Sequence, residues 1–587
     1  MGGFLLIRKQ DSIRADEFEG RYSDSIGVFD KKGLSLNRRF ATPDFSIYVF
    51  NKYRSPVENV VQFSNTEFII ATGTCIYNKK IGHDALTELY HDFSEDGRFL
   101  TNLLGHYCII IAKNGKTFLV NDDSGLFRSY ASEKKDVISS SFIAVLKALE
   151  KRSIASQELY EYIFNGASFG DKTLINEINL IDSSHIWQLS PEFHTITKPN
   201  NTHGISKRLA LSEVVEEMST SLIDYFDIIQ DNFGNDLCSA LTGGHDSRLL
   251  LALMRKVGIQ PQYLYVYDDS RQPTCVSTAM AMANGENLSL DYVNLSKFSD
   301  CTSEEYAELL QRKYYVEDGL GHENGIFDNG TGLMARLNRT EKARLHLNGG
   351  LGEIFRNFWL LPHNTLTTRA FIESKYDLNF SACTEYHDRE SYIAALSEKI
   401  KNAIQTQCDR LNQRQIAALF PFWVGKYWTS SNNSINNQLS YALTPFGESR
   451  FVHKALDIPI RYRNYGIFET ALIKFIDPKL AKYPSHYGYN FYDGMSRKTK
   501  MKAYIKLHIP IQLKRYARKH FWNADTKRLV FRRQQPVLPF YLTEEYLDRI
   551  FNNDILHVAE YVHINQIKDI HTLSRALTAE LVISNRY

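Results

Sequence analysis

The sequence predicts an α/β protein in two parts, a sheet-rich first third and a parallel α/β remainder. Three observations carry this expectation. Residues 1 to about 200 alternate short β-like runs (4–7, 46–49, 68–71, 107–112 and 117–120) with turn residues. The pattern then breaks at Pro199-Asn200-Asn201-Thr202-His203-Gly204, and a helical periodicity follows from 211 to about 229. From 237 onward, apolar strand-like runs (237–242, 263–267, 290–293) alternate with helical ones (247–257, 274–283), as a parallel sheet with crossover helices requires.

At 587 residues the chain exceeds one ordinary core, and the break gives expected domains of 1–203 and 204–587. Hydrophobic residues make up 43% and charged residues 23%, which excludes long disorder. A net charge of +2 gives no global pull toward nucleic acid or anionic lipid, so neither is an expected partner. The seven cysteines are scattered, with none of the close pairs that zinc or redox motifs need, and they read as reduced thiols of a cytoplasmic protein. No run reaches the length of a membrane span, and the apolar start at 4–7 is too short for a signal peptide. Asn114-Gly115 separates two β-like runs as a tight hairpin turn. The Gly115-Lys116-Thr117 that follows is no phosphate loop, because position 110, where that motif needs its first glycine, is Ile.

The chemistry concentrates in Leu241-Thr242-Gly243-Gly244-His245-Asp246-Ser247-Arg248, between an apolar strand and an apolar-periodic helix. Adjacent glycines let backbone approach an anion, and the helix that follows presents unpaired N–H groups and a positive dipole end. Thr242 and Ser247 add hydroxyl donors. Asp246 would repel bare phosphate, so its expected role is to hold the magnesium that accompanies ATP. The bland alternative is a strand-to-helix turn that Asp246 caps. The loop has no lysine, which separates it from the kinase and GTPase phosphate loop.

The 242–247 string is similar to the Ser-Gly-Gly-x-Asp-Ser signature of ATP pyrophosphatases. Around it, in order, stand Asn102-Leu103-Leu104-Gly105-His106-Tyr107, Phe118-Leu119-Val120-Asn121-Asp122-Asp123, Leu347-Asn348-Gly349-Gly350-Leu351-Gly352-Glu353-Ile354-Phe355 and Thr444-Pro445-Phe446-Gly447-Glu448. This order resembles the asparagine synthetase superfamily, in which a class II glutamine amidotransferase domain precedes a PP-loop synthetase domain. The resemblance implies an Ntn-like antiparallel β-sandwich followed by a parallel-sheet ATP-binding domain. It implies ATP and Mg2+ as cofactors, with Thr242, Gly243, Gly244, Asp246, Ser247 and the backbone at Val266 holding the nucleotide. Asp246 and Glu353 would hold the metal across the pocket.

Several positions depart from the family pattern. Its glutamine-hydrolysing members carry a nucleophilic cysteine directly after the initiator methionine, and here that residue is Gly2. Glutamine hydrolysis is therefore not expected, as in the lasso-peptide cyclases and β-lactam synthetases, relatives whose amine is supplied by the substrate. Of the acids in the second glycine motif only Glu353 remains. A base must come from elsewhere, the segment 315–324 (with Glu317, Asp318, His322 and Glu323) being one source and a plain polar loop its other reading. The family's pyrophosphate-neutralising lysine is displaced; Lys482 is the catalytic candidate beside Glu353, with Lys498 and Lys500 as rivals.

The resemblance implies an ATP-dependent amide-forming ligase that adenylates a carboxylate, releases pyrophosphate, and passes the acyl group to an amine. The carboxylate belongs to a small molecule or a peptide. The product class spans macrolactams and amidated small molecules or sugar acids. Alternatives are an ammonia-dependent, asparagine synthetase-like enzyme and a non-catalytic ATP-binding or interaction protein. Residues 496–533 hold thirteen Lys or Arg against the single acid Asp525; they read as a solvated face or as a surface for an anionic substrate, a leader peptide or an accessory protein.

Overall fold

The computed structural model describes residues 1–9, 15–54, 58–199, 210–268, 273–295, 301–321, 323–360, 365–376, 380–510, 513, 538–552 and 556–587. The expected domain boundary at 203/204, His322 and most of the basic segment beyond 510 lie outside these.

The N-terminal third holds β1 (Gly3–Arg8), β2 (Leu36–Ala41), β3 (Phe45–Phe50), β4 (Val60–Gln62), β5 (Phe68–Tyr77), β6 (Leu103–Lys113), β7 (Lys116–Asn121), β8 (Tyr130–Ser132), β9 (Val137–Ser139), β10 (Ile178–Leu180), β11 (His185–Ser190) and β12 (His194–Thr197). They form two antiparallel six-stranded sheets, ordered β10-β8-β9-β1-β3-β2 and β12-β11-β7-β6-β5-β4. Alternation explains the layering. Phe4 and Leu6 of β1 join Ile70, Ile110 and Leu119 in the apolar layer between the sheets. Leu5 and Ile7 face the other way, into a core with Phe29, Ile143 and Leu146 from helices. On the far side, Ile69 and Ile109 pack under Leu86 and Leu89 of the helix Gly82–Asp92. This is an Ntn-like sandwich. Asn114 and Gly115 both take left-handed φ, 54° and 75°, which makes the β6–β7 connection the two-residue turn expected.

The remainder is built on β13 (Leu237–Ala240), β14 (Tyr263–Tyr267), β15 (Leu290–Val293), β16 (Leu345–Leu347), the short pair β17 (Leu366–Thr367) and β18 (Arg410–Leu411), and β19 (Tyr441–Leu443). Five of these make one parallel sheet, β15-β14-β13-β16-β19. The chain leaves β13 in one direction and returns to its other side with β16, so the strand order reverses at β13. Loops at the carboxyl ends of such strands form the crevice in which open α/β sheets bind ligands.

The two parts share a polar seam. Lys32 pairs with Asp318 at 2.7 Å, and Asp318 also accepts the Phe142 N–H at 2.7 Å. Glu448 accepts the Gly105 N–H at 2.9 Å and the Tyr225 hydroxyl at 2.8 Å. The buried Lys52 ammonium donates to the carbonyls of Asn437 and Ser440. Two acids of 315–324 have structural partners: Asp318 ties the seam, and Glu317 lies 3.8 Å from buried Lys313. Among the described residues, no helix is long and apolar enough to cross a membrane.

Candidate functional site at the 242–247 loop

β13 runs into the loop and the helix His245–Lys256 follows, its Leu249, Leu250, Leu251 and Leu253 buried and fixing the helix against the sheet. The loop is braced by its own hydroxyls. Ser247 Oγ accepts the Thr242 N–H at 2.9 Å and lies 2.8 Å from Thr242 Oγ1, which in turn accepts the Gly244 N–H at 3.3 Å. The Leu241 N–H bonds Tyr265 O at 2.9 Å, which sets Val266, buried in β14, beside the start of the loop.

Any advantage of glycine here is one of space, since neither Gly243 nor Gly244 takes a left-handed φ. A Cβ on Gly243 would lie 3.1 Å from His486 Cβ and from Thr278 Cβ, and one on Gly244 would lie 3.3 Å from His486 Cε1. The segment around His486 and Tyr487 therefore lies over the glycines, with the His486 N–H bonded to Gly243 O at 3.1 Å. His245 stacks on Phe491 at 4.1 Å between centroids. Burial, reinforced by Arg356 and Arg248, holds its imidazole neutral.

Three acids from distant segments converge on Arg356. Its Nη2 lies 3.0 Å from Asp246 Oδ2 and 3.4 Å from Glu353 Oε1, and its Nη1 lies 3.0 Å from Glu469 Oε2. Glu353 reaches this point from the turn Gly352–Phe355 after β16, and Glu469 from the helix Ile467–Ile476. Asp246 packs so closely on Gly352 that a Cβ there would lie 2.1 Å from Asp246 Oδ1. No acid fits at position 352. Burial, then the Asp246 charge, pushes the Glu353 carboxyl up, against the pull of Arg356. Fully buried Glu469 is pushed well up, by burial first, with Arg356 again opposing. One permanent cation faces three carboxyls, two of them held toward their neutral form.

The sequence brings Asp246 and Glu353 together in expectation, and the structure places both on one nitrogen. It also sets a cation of the chain itself between them. Carboxylate oxygens suit magnesium in kind, but the ion needs near-octahedral oxygen coordination. The position between these two is taken by a guanidinium that Glu469 also holds. An ion shared directly by these two carboxylates would have to take the place of Arg356. Among the described residues, no group of three or more His, Cys, Asp or Glu is arranged to hold a metal.

Lys482 makes no recorded contact with Asp246, Glu353 or Arg356 among the described residues. It is exposed, with its ammonium 5.0 Å from the centre of the Tyr492 ring. Lys498 and Lys500 are exposed on the helix Arg497–His508. Arg356, Glu469 and His486 were not singled out from the sequence. A signal existed for two of them: Arg356 follows Glu353 by one helical turn, and Glu469 is the single acid in the apolar run Ile467–Ile476.

Buried side-chain atoms without a partner gather around the loop: His245 Nδ1, Arg248 Nε and His486 Nδ1. Polar atoms rarely stay buried and unpaired unless a ligand or water completes them. A larger cavity, about 740 Å³, lies elsewhere, at the seam between Gly105 and Glu448, with Arg450 and His453 in its wall.

At the other end of the chain, a Cβ on Gly2 would lie 2.5 Å from Asn51 O and 2.8 Å from Gln438 O. Backbone therefore encloses position 2.

No family model matches the chain, and no curated protein matches it. Among solved structures, it is similar to the glutamine phosphoribosylpyrophosphate (PRPP) amidotransferase from B. subtilis complexed with ADP and GMP, at 9% identity and a TM-score of 0.24, over 50% of this chain and 65% of that one. It is similar also to a structure described as the allosteric regulatory enzyme of purine biosynthesis, at 10% identity and a TM-score of 0.24, over 50% of this chain and 80% of that one. The chain thus spans less than two thirds of the first of these.

Proposed function

We propose that the chain binds ATP at the 242–247 loop and uses it to join a carboxylate to an amine, as the resemblance to the asparagine synthetase superfamily implies. The observation that carries this reading is the convergence of Asp246, Glu353 and Glu469 at a glycine loop where the strand order reverses, with unpartnered polar atoms around it. In the reaction, a carboxylate oxygen attacks the α-phosphorus of ATP, the bond to the β-phosphate breaks, and pyrophosphate leaves. The amine then forms the C–N bond at the acyl carbon, loses a proton, and displaces AMP with the carboxylate oxygen.

The residues contribute position and charge. The N-terminus of the helix His245–Lys256 offers donors to phosphate. Thr242 and Ser247 hold the loop in shape. Val266 stands in the strand that would border the base. Glu353, its carboxyl pushed up by burial, is suited to take the proton that the amine loses. Ammonia serves as the amine in the variant of this reading closest to asparagine synthesis. Gly2 has no nucleophilic side chain, so in this reading the amine comes from solution or from the substrate itself.

A second reading, a protein that binds ATP without turning it over, is favoured by the His486–Tyr487 cover on the glycines. Incubation with ATP, a panel of carboxylates and hydroxylamine separates the two. The ligase reading expects AMP, pyrophosphate and a hydroxamate in equal amounts. Bound ATP recovered intact, with every carboxylate tried, supports the second reading and removes the first.

A further inference from the structure

We propose that Arg356 is the resident cation of the loop and makes the 242–247 site bind the phosphates of ATP without a divalent metal. The inference rests on the reading of this loop as a phosphate site and goes beyond it.

The argument starts from the charge that any phosphate would meet. The loop carries one acid, Asp246, in the first turn of the helix whose N-terminus would receive the anion. A bare carboxylate at that point repels phosphate, and a metal ion is the usual way to remove the repulsion. Here the carboxylate is already matched: Asp246 Oδ2 accepts from Arg356 Nη2 at 3.0 Å. Glu353, the other acid that faces the loop, lies 3.4 Å from the same nitrogen. One guanidinium thus does for both what a shared cation would do.

Arg356 is also fixed in place. Its Nη1 is bonded at 3.0 Å to Glu469, which is fully buried, and its own side chain is only 16% exposed. A guanidinium held on two nitrogens by acids from separate segments keeps its orientation, because the planar fork matches carboxylate geometry. To admit magnesium between Asp246 and Glu353, it would have to leave both and abandon Glu469 in the interior, and breaking a buried pair is strongly unfavourable.

The test is calorimetric titration of the full chain with ATP, and separately with inorganic pyrophosphate, in buffers containing either EDTA or excess magnesium. The wild-type protein should bind in EDTA with an affinity within about threefold of that in magnesium, and Arg356→Gln should lose about tenfold or more in EDTA, the scale of a lost charge-assisted contact. The magnesium buffer should restore part of that loss. Because Arg356→Gln leaves Glu469 unpaired, the double variant Arg356→Gln with Glu469→Gln removes the buried carboxyl together with its partner, and Arg356→Lys keeps the cation. The double variant should behave as Arg356→Gln does, and Arg356→Lys should retain binding in EDTA. Wild-type binding that appears only with magnesium overturns the proposal and leaves the phosphate site standing. Folded wild-type protein that binds neither ATP nor pyrophosphate in either buffer removes the phosphate site and the proposal with it.

Discussion

Asp246 and Glu353 meet on a single nitrogen, Nη2 of Arg356, although one opens the helix after β13 and the other lies in the turn after β16. The adjacency of β13 and β16 in the sheet makes this possible, because parallel neighbours deliver their carboxyl-end loops to the same edge. The relationship makes Asp246 a matched acid.

It follows that Asp246→Asn should not weaken ATP binding in EDTA. A metal-ligand role predicts the opposite, a loss of about tenfold or more on removal of a charge-assisted contact. Calorimetry on the folded variant decides between them.

Purified protein should show no glutaminase activity above a heat-killed control. Substituting Gly2→Cys should not create it, because a Cβ at that position meets Asn51 O at 2.5 Å and Gln438 O at 2.8 Å. The same variant should lose roughly 1–3 kcal/mol of stability, the range for overpacking a filled site. Denaturant melts of the two proteins measure it.

Asp318→Ala should destabilise the seam by about 3–5 kcal/mol, since it leaves buried Lys32 without its acid and also removes an acceptor of the Phe142 N–H. The lost stability should appear in the main unfolding transition followed by calorimetry.

Burial pushes the Lys52 ammonium down to about 7 in the folded chain. In the unfolded chain lysine keeps its proton up to its ordinary value near ~10.4. Between these values the unfolded state binds more protons, so stability rises with pH, and this contribution is lost as pH falls toward about 7. Lys52→Met should flatten the rise by up to ~1.4 kcal/mol per pH unit, the limit for one proton, in melts compared across that window.

Much of the fold was legible in the sequence, because strands and helices write their periods into apolar spacing. The runs at 263–267 and 290–293 match β14 and β15 residue for residue. The helix after the loop begins at His245, two residues before the apolar period shows it, since His245 and Asp246 are polar residues in a first turn. The site was legible where a motif is local: the 242–247 string marks the loop, and Glu353 stands in a second glycine motif. What the string did not tell is why the glycines are there. They make room for His486, which is distant in sequence, and long-range contact leaves no local period. Arg356 escaped for a related reason. Its meaning depends on Asp246 and Glu469 arriving from elsewhere, and an arginine by itself reads as surface charge.

The most direct test of the account is ATP titrated into the wild-type chain and into Gly243→Val, both shown to be folded by circular dichroism. If the 242–247 loop holds the phosphates, the added side chain, crowded against His486 and Thr278, should lower ATP affinity by about tenfold or more. Equal affinity in the two proteins would contradict it, because ATP would then be bound somewhere other than this loop.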